Sequence, residues 1–244
     1  LNLKDKIIVI TGGTSGVGRQ LVASLCQHNT VIVIARPSHR LTQLAKTHHN
    51  INVYSADLAD PCHYQPLVAS IKQEFPAIDI LINNAAIQHT ATFTEPNFDY
   101  DTISQEINVN FNAICSLSYL FIPVLAKAKE GAAILNVNSG LALVPKKTSA
   151  VYCASKAAMN IFSQSLSYQL EDTQIDVLQA FLPLVNTPMT QGRQSSKLTP
   201  EQAAEKIIDG LKRRVPINNI GKIKLLRAVN AFVPGLAKNL LKRS

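Results

Sequence analysis

Tyr152 and Lys156 are the two residues of this chain best suited to act on one substrate together. They lie four apart in Ser149-Ala-Val-Tyr-Cys-Ala-Ser-Lys156, and on an α-helix positions i and i+4 share a face. A phenol in water titrates near pH 10, too high for easy proton exchange at neutrality. An ammonium beside it stabilises the phenolate, and a tyrosine so placed becomes a usable general acid or base. Such pairs also decorate solvated helices, so this one gains meaning only from its surroundings. Ser139 ends the strand-like run that precedes the pair. In open α/β sheets ligands bind off the carboxyl ends of strands, where a serine can donate to a carbonyl oxygen. Asn110 lies amid apolar residues of a long helical stretch. A buried amide there must be bonded, either to neighbouring backbone or to a water near the site.

The elements that would carry these groups alternate along the chain. Short apolar runs at Lys6–Thr11, Thr30–Ala35, Ile51–Ser55, Ile78–Ile82, Gly131–Ser139 and Ile175–Phe181 are those of parallel strands buried on both faces. Helical stretches at Arg19–His28, Asp60–Phe75, about Asp101–Lys129 and Ala150–Asp172 separate them, and Thr199-Pro-Glu-Gln202 opens another. Between the first strand and helix stands Thr11-Gly-Gly-Thr-Ser-Gly-Val-Gly18. Gly12 permits a tight turn, Gly16 a close approach of backbone to pyrophosphate, and Gly18 close helix packing. The helix N-terminus then presents unpaired N–H groups to phosphate.

The second strand ends at Ala35-Arg36 with no acidic residue to hold a ribose 2′-hydroxyl. An arginine there suits a 2′-phosphate, so NADP(H) is expected over NAD(H). Asp57 and Leu58 follow the third strand and are placed against the adenine. Asn83-Asn84-Ala85-Ala86 follows the fourth, and Pro183-Leu-Val-Asn-Thr187 the sixth. Residues 187–199 read as a lid over a substrate.

The chain of 244 residues carries a net charge of +8, enough length for one large domain with a substantial core. The charge is uneven: residues 210–244 hold nine Lys or Arg and no acid, while all 16 Asp and Glu lie before them. In residues 221–244, Ile223, Leu226, Val229, Val233, Leu236 and Leu240 share one side of a helical projection and Lys224, Arg227, Lys238 and Lys242 another, with Pro234 breaking the helix in two. The preferred reading packs this apolar side on the body or on a partner subunit. Peripheral contact with an anionic membrane is the alternative, and nucleic acid is disfavoured because aromatic stacking surface is scarce. No apolar run approaches the ~20 residues of a membrane span, and the N-terminus shows no signal-peptide layout. Cys26, Cys62, Cys115 and Cys153 lack metal-ligand spacing and read as buried free thiols of a cytoplasmic protein.

Taken together, Thr11-Gly-x-x-x-Gly16-x-Gly18, Asn83-Asn84-Ala85-Ala86, Asn110, Ser139, Tyr152-x-x-x-Lys156 and Pro183…Thr187 resemble, in order and spacing, the short-chain dehydrogenases/reductases over roughly residues 4 to 215. Asn138-Ser-Gly-Leu-Ala-Leu-Val-Pro145, with Ile220-Gly-Lys-Ile-Lys-Leu-Leu226, looks like a bacterial DltE-like subgroup. The resemblance implies one Rossmann-type α/β domain over 1–244, a doubly wound parallel sheet of about seven strands in the order 3-2-1-4-5-6-7 with helices on both faces; apolar positions on the two long helices favour a homodimer or homotetramer. It implies hydride transfer between an NAD(P)(H) cofactor and a small alcohol, ketone or aldehyde, without metal. Tyr152 would supply the proton, Ser139 steady the oxygen, Lys156 depress the tyrosine pKa and hold the ribose, and Asn110 position a relay water. Gly12, Thr14, Ser15, Gly16, Val17, Gly18, Arg36, Asp57, Leu58, Asn84, Ala85, Tyr152, Lys156, Pro183, Val185 and Thr187 would contact the cofactor. Two positions depart from the pattern: Ala86 and Leu184 stand where glycine is usual. The alternative is a catalytically silent dinucleotide-binding regulatory protein on the same fold.

Overall fold

Aliphatic runs too short for helices and too apolar for edges form the centre of the molecule: β1 (Ile7–Thr11), β2 (Thr30–Ala35), β3 (Ile51–Ser55), β4 (Ile80–Asn83), β5 (Ala132–Ser139) and β6 (Ile175–Leu182), with β7 (Ile217–Asn219) at one edge. The structure, a computed structural model, describes residues 1–192 and 197–242. All seven strands pair in parallel in the order β3-β2-β1-β4-β5-β6-β7, as expected. β7 has only Ile217 as an apolar residue, too little pattern to mark it in the sequence.

Successive residues of a strand point to opposite faces, and both faces are covered. Ile8, Ile10, Val31, Val33, Ile80 and Ile82 pack with α1 (Gly16–Leu25) and α7 (Pro200–Lys212), through Leu21, Val22, Ile207 and Leu211. Their neighbours Val9, Ile32, Ile34, Leu81 and Ile134 pack on the other side with α3 (Tyr64–Glu74) and α5 (Ala113–Leu125). The short α2 (His39–Leu44) follows β2.

Several element boundaries differ from the sequence expectation. The first helix begins at Gly16, inside the glycine motif, and ends at Leu25. The third starts as a 3-10 turn, Pro61–His63, capped by Asp60. The long stretch ends at Leu125 and is interrupted: α4 (Asp101–Ile107) joins α5 through a π-helical turn, Asn108–Asn112. This rod, Asp101–Leu125, is long and apolar enough to cross a membrane by length and composition, contrary to the expectation that no segment is. Its apolar residues Leu117, Phe121, Val124 and Leu125 are core residues under the sheet. α6 runs Ala150–Gln169. Cys62 is exposed and Cys115 half-buried, so only Cys26 and Cys153 fit the expected buried thiols.

The tail forms α8 (Ile223–Phe232) and α9 (Pro234–Lys242), with Pro234 opening the second helix, where its missing N–H is harmless. Arg227 lies over the Phe181 ring, 4.8 Å from its centroid, and donates through Nε to Asn219 Oδ1 at 3.0 Å. The packing expected of its apolar side is only partly realised. Ile223 and Ala237 are buried, but Val233, Leu236 and Leu240 are exposed. Arg243 and Ser244 of the tail lie outside the described residues.

A chain of buried amides joins the sheet centre to α6. Asn83 Nδ2 donates to Asn136 Oδ1 at 2.8 Å, Asn136 Nδ2 to Ser163 Oγ at 2.8 Å, and Ser163 Oγ to Met159 O at 2.7 Å. Water is excluded here, so a lost partner leaves a donor stranded. Asn136→Ala is expected to destabilise the fold by about 2–3 kcal/mol, read as a lower urea midpoint at unchanged slope. A loss under about 0.5 kcal/mol would show that these bonds do not hold α6 to the sheet.

Candidate active site

The winding of the sheet reverses between β1 and β4, and the carboxyl ends of its strands open there into a crevice, the usual ligand position of such folds. A cavity of about 1680 Å³ runs along them. That exceeds the ~300–1,000 Å³ of a typical single-ligand pocket, leaving room for a dinucleotide and a second molecule.

One end is built from the β1–α1 turn. Gly12 has φ +72°, and a Cβ there would stand 2.8 Å from Ala85 Cα. A Cβ on Gly18 would stand 2.2 Å from Gly12 O and 2.5 Å from Asn84 Nδ2. No larger residue fits either position, so backbone lies bare toward the crevice. Ser15 is the N-cap of α1 but makes no side-chain capping bond. The first N–H groups of α1, at Gly16, Val17 and Gly18, therefore face the cavity that these residues line with Thr14 and Ser15. Thr11 Oγ1 accepts from the N–H groups of Asn84 and Ala85, both at 3.0 Å. Asn84 Nδ2 donates back to the carbonyls of Thr11 and Gly12, at 3.0 and 3.1 Å. These bonds lock the turn to the end of β4. The cradle fits a pyrophosphate: bare backbone, oriented donors and a positive helix end.

Arg36 is exposed at the end of β2 and lines the cavity near His39 and Arg40, with Asp57 and Leu58 of the loop after β3. Pro183, Val185 and Thr187 line the opposite wall after β6. Leu184 takes no positive φ, so the turn there does not demand the glycine it lacks. The substitution instead adds an apolar side chain to the cavity wall. Of the expected lid at 187–199, a 3-10 turn at Pro188–Thr190 is described, and Leu198 N–H returns to Leu184 O at 3.1 Å. Residues 193–196 of that segment lie outside the described residues.

Ser139, Tyr152 and Lys156 line the cavity together. The Lys156 ammonium donates to Val137 O at 3.0 Å and sits 5.8 Å from the Tyr152 ring centroid. It is 3% exposed, and burial lowers its pKa from 10.5 to about 8. Ser139 Oγ accepts from Leu141 N–H at 3.2 Å, leaving its own proton available. α6 enters the site strained: its N-cap Ser149 is left-handed, at φ 60° and ψ 47°, a conformation costly for a non-glycine residue.

Asn110 does not line the cavity. Its Nδ2 donates to Ile87 O at 2.9 Å and to Ser155 Oγ at 3.3 Å, and its Oδ1 accepts from Ile87 N–H at 2.9 Å. Both amide protons are therefore engaged, so the side chain cannot donate to a relay water. Only its main-chain carbonyl, in the π turn, is a candidate for that part.

Two sets of residues were missed in the sequence. Glu106 is 2% exposed, and its carboxylate accepts from the N–H of His89. Burial raises its pKa, opposed by that bond, by the His89 charge and, least, by the Tyr152 backbone. His89 Nδ1 lies 3.2 Å from Glu106 Oε1, close enough for an ion pair but outside hydrogen-bond geometry. Glu106 thus bonds to the loop after β4 and stands beside the first turn of α6. The available signal was an acid one helical turn before Asn110 in an apolar stretch. The second set is the tail: Ile223, Leu225, Leu226, Val229, Leu240 and Leu241 wall the cavity. A Cβ on Gly140 would stand 2.6 Å from Ile223 Cδ1. Among the described residues no group of three His, Cys, Asp or Glu could hold a metal ion.

Residues 6–198 match the short chain dehydrogenase family. The chain is 34% identical over 219 residues to an oxidoreductase, DltE, of Bacillus subtilis (strain 168), spanning 87% of this chain and 86% of that one. Its fold is similar to a short chain dehydrogenase of Burkholderia cenocepacia J2315 in complex with NADP, with TM-score 0.87, 21% identity and 99% of each chain covered. It is also similar to a 3-ketoacyl-(acyl-carrier-protein) reductase of Brucella melitensis complexed with NADH, with TM-score 0.81, 20% identity, and 90% and 98% covered.

Lys156 gives the site a pH signature. Its pKa is about 8 when folded and near 10.5 when unfolded, so between those values the unfolded chain binds more protons and stability rises with pH. The burial penalty is full below pH 8 and gone above 10.5. Denaturation of cofactor-free protein is expected to show a gain of up to about 3 kcal/mol across that window. Lys156→Met should lack it. Parallel profiles for the two proteins would mean that the ammonium is not buried as described.

Proposed function

The chain belongs to the short chain dehydrogenase family, and from that premise we propose that it reduces a ketone or aldehyde with NADPH, Tyr152 acting as the general acid. The observation that carries this reading is the placing of Ser139, Tyr152 and Lys156 on one wall of a cavity whose other end is a bare-backbone cradle at a helix N-terminus. Reduced nicotinamide, when bound, supplies hydride to the carbonyl carbon. As negative charge grows on the carbonyl oxygen, the Ser139 hydroxyl donates a hydrogen bond to it and the Tyr152 hydroxyl transfers its proton. The Lys156 charge stabilises the phenolate left behind. With a pKa of about 8, that ammonium is still mostly protonated at neutral pH. Lys156 would also hold the nicotinamide ribose, and the main-chain carbonyl of Asn110 a water through which Tyr152 regains its proton. Glu106 would steady the start of α6 by its negative charge beside the Tyr152 backbone.

The same cradle assigns the remaining contacts. The N–H groups of Gly16 to Gly18, with Thr14 and Ser15, would hold pyrophosphate. Asp57 and Leu58 would flank the adenine, and Asn84, Ala85, Pro183, Val185 and Thr187 the nicotinamide end. The two related structures hold NADP and NADH respectively, so the fold accommodates either cofactor. The choice rests on Arg36 at the end of β2, with no acid beside it and a 2′-phosphate the group it would pair with.

Turnover over a panel of ketones and aldehydes tests the chemistry. Tyr152→Phe is expected to lower kcat by about 10³-fold while NADPH binding stays intact; equal turnover by the variant would remove Tyr152 as the acid. Arg36→Ala is expected to raise the KM for NADPH by roughly 10- to 100-fold, the worth of a charge-assisted pair, and to leave that for NADH nearly unchanged. A preference for NADPH that survives the substitution would place its cause elsewhere.

A further inference from the structure

We propose that the α8–α9 hairpin docks this protein on an anionic lipid surface, with the mouth of the cavity turned toward that surface. The hairpin has two sides with opposite tasks. Inward, Ile223 and Ala237 are buried and Leu226 packs beside Gly140, so the hairpin is seated on the body as the wall of the cavity. Outward, it displays large apolar side chains left open to solvent among the described residues: Phe232 is 86% exposed, Leu225 66%, Leu240 62%, and Val233 and Leu236 about half. Leu225 and Phe232 lie two turns apart on α8, with the half-buried Val229 between them, and Leu236 and Leu240 lie one turn apart on α9.

The charge around this stripe chooses its occupant. Lys222, Lys224, Lys238 and Lys242 are exposed on the same hairpin, and no Asp or Glu occurs from residue 210 onward. A second copy meeting this face across a two-fold axis would set lysine against lysine, with no acid on the hairpin to offset them. An anionic bilayer complements both features at once. Apolar side chains enter the boundary of headgroups and acyl chains, and lysine stems lie along it with their ammonium groups at the phosphates.

Leu225 and Leu240 belong to both sides, being strongly exposed and also lining the cavity. The apolar surface is therefore continuous from the outer stripe to the inner wall. On the reading of the site given above, a lipophilic carbonyl compound could pass from the bilayer to Tyr152 without crossing water. That last clause rests on the catalytic reading, whereas the docking itself does not.

The test is co-sedimentation of the full chain with vesicles. The protein is expected to pellet with phosphatidylcholine mixed with phosphatidylglycerol, and to be released by high salt. The double variant Phe232→Ser/Leu236→Ser should fail to pellet, and Lys238→Gln/Lys242→Gln should bind about thirtyfold more weakly. None of these four residues lines the cavity, and an unchanged unfolding midpoint shows that each variant is folded. Absence from the pellet, equal pelleting with pure phosphatidylcholine, or binding indifferent to both double variants overturns the proposal. So does a vesicle-free dimer that dissociates on Phe232→Ser, since a second copy would then occupy the face. Pelleting by a protein that turns over none of the carbonyl panel supports docking and counts only against the reduction reading.

Discussion

A single buried cation organises the site. Lys156 is enclosed in α6 and bonded to the carbonyl of Val137. Removing an ammonium from water is costly, and one neutral carbonyl offsets only part of that cost. The lowered pKa of about 8 is the visible consequence. Such a group persists only where the surrounding structure over-determines it. Here the determinants are identifiable: α6 is tied to β5 through Asn136 and Ser163 and to the π turn through Asn110 and Ser155, and Glu106 of α4 stands beside its first turn. The two ties fix different turns of the helix. Their joint effect is to hold Tyr152 beside the cation and at the mouth of the crevice.

The polar ties follow from how a parallel sheet is built. Both faces of β4 and β5 are covered, so apolar side chains suffice to bury the strands but cannot orient one helix rotation over another. Hydrogen bonds can, because their geometry is directional. Asn83 ends β4, Asn136 and Asn138 lie in the carboxyl half of β5, and each amide engages a partner far away in the chain. The π turn at Asn108–Asn112 belongs to the same logic. An inserted residue redirects local carbonyls and lets the Asn110 side chain reach the loop after β4.

What could be read from the sequence was what is local. β1, the glycine turn and the start of α1 are contiguous, so residues 6–18 announce strand, cradle and helix together. Tyr152 and Lys156 are one turn apart, and Ser139 ends a strand of pure core pattern. The parallel order of the strands came only with the family resemblance, since no single run specifies its neighbour. Glu106 was missed because it bonds to the His89 backbone and stands beside α6, neither of which any local spacing reveals. Asn110 was half legible: its need for partners was evident, but not that the backbone of Ile87 would engage the side chain. The cavity wall made by the tail was invisible for the same reason, since Gly140, after β5, meets Ile223, after β7, from far along the chain. Helical periodicity correctly marked an amphipathic tail but could not say that its apolar residues divide between cavity and solvent.

That division separates two kinds of specificity in the molecule. The groups that would meet the reacting carbonyl are few, polar and held by the sheet and α6. The groups that shape what else a substrate carries are apolar and come from Leu184, Leu225, Leu226, Val229 and Leu240, on a wall and a hairpin outside the sheet. Changes in the hairpin can therefore alter which molecules enter while Lys156 keeps its bond to Val137 O. The charge distribution follows the same partition: up to residue 209 acids and bases nearly balance, and the excess of positive charge lies on the last 35 residues. The field outside the cavity is thus set by the segment that also sets its apolar lining.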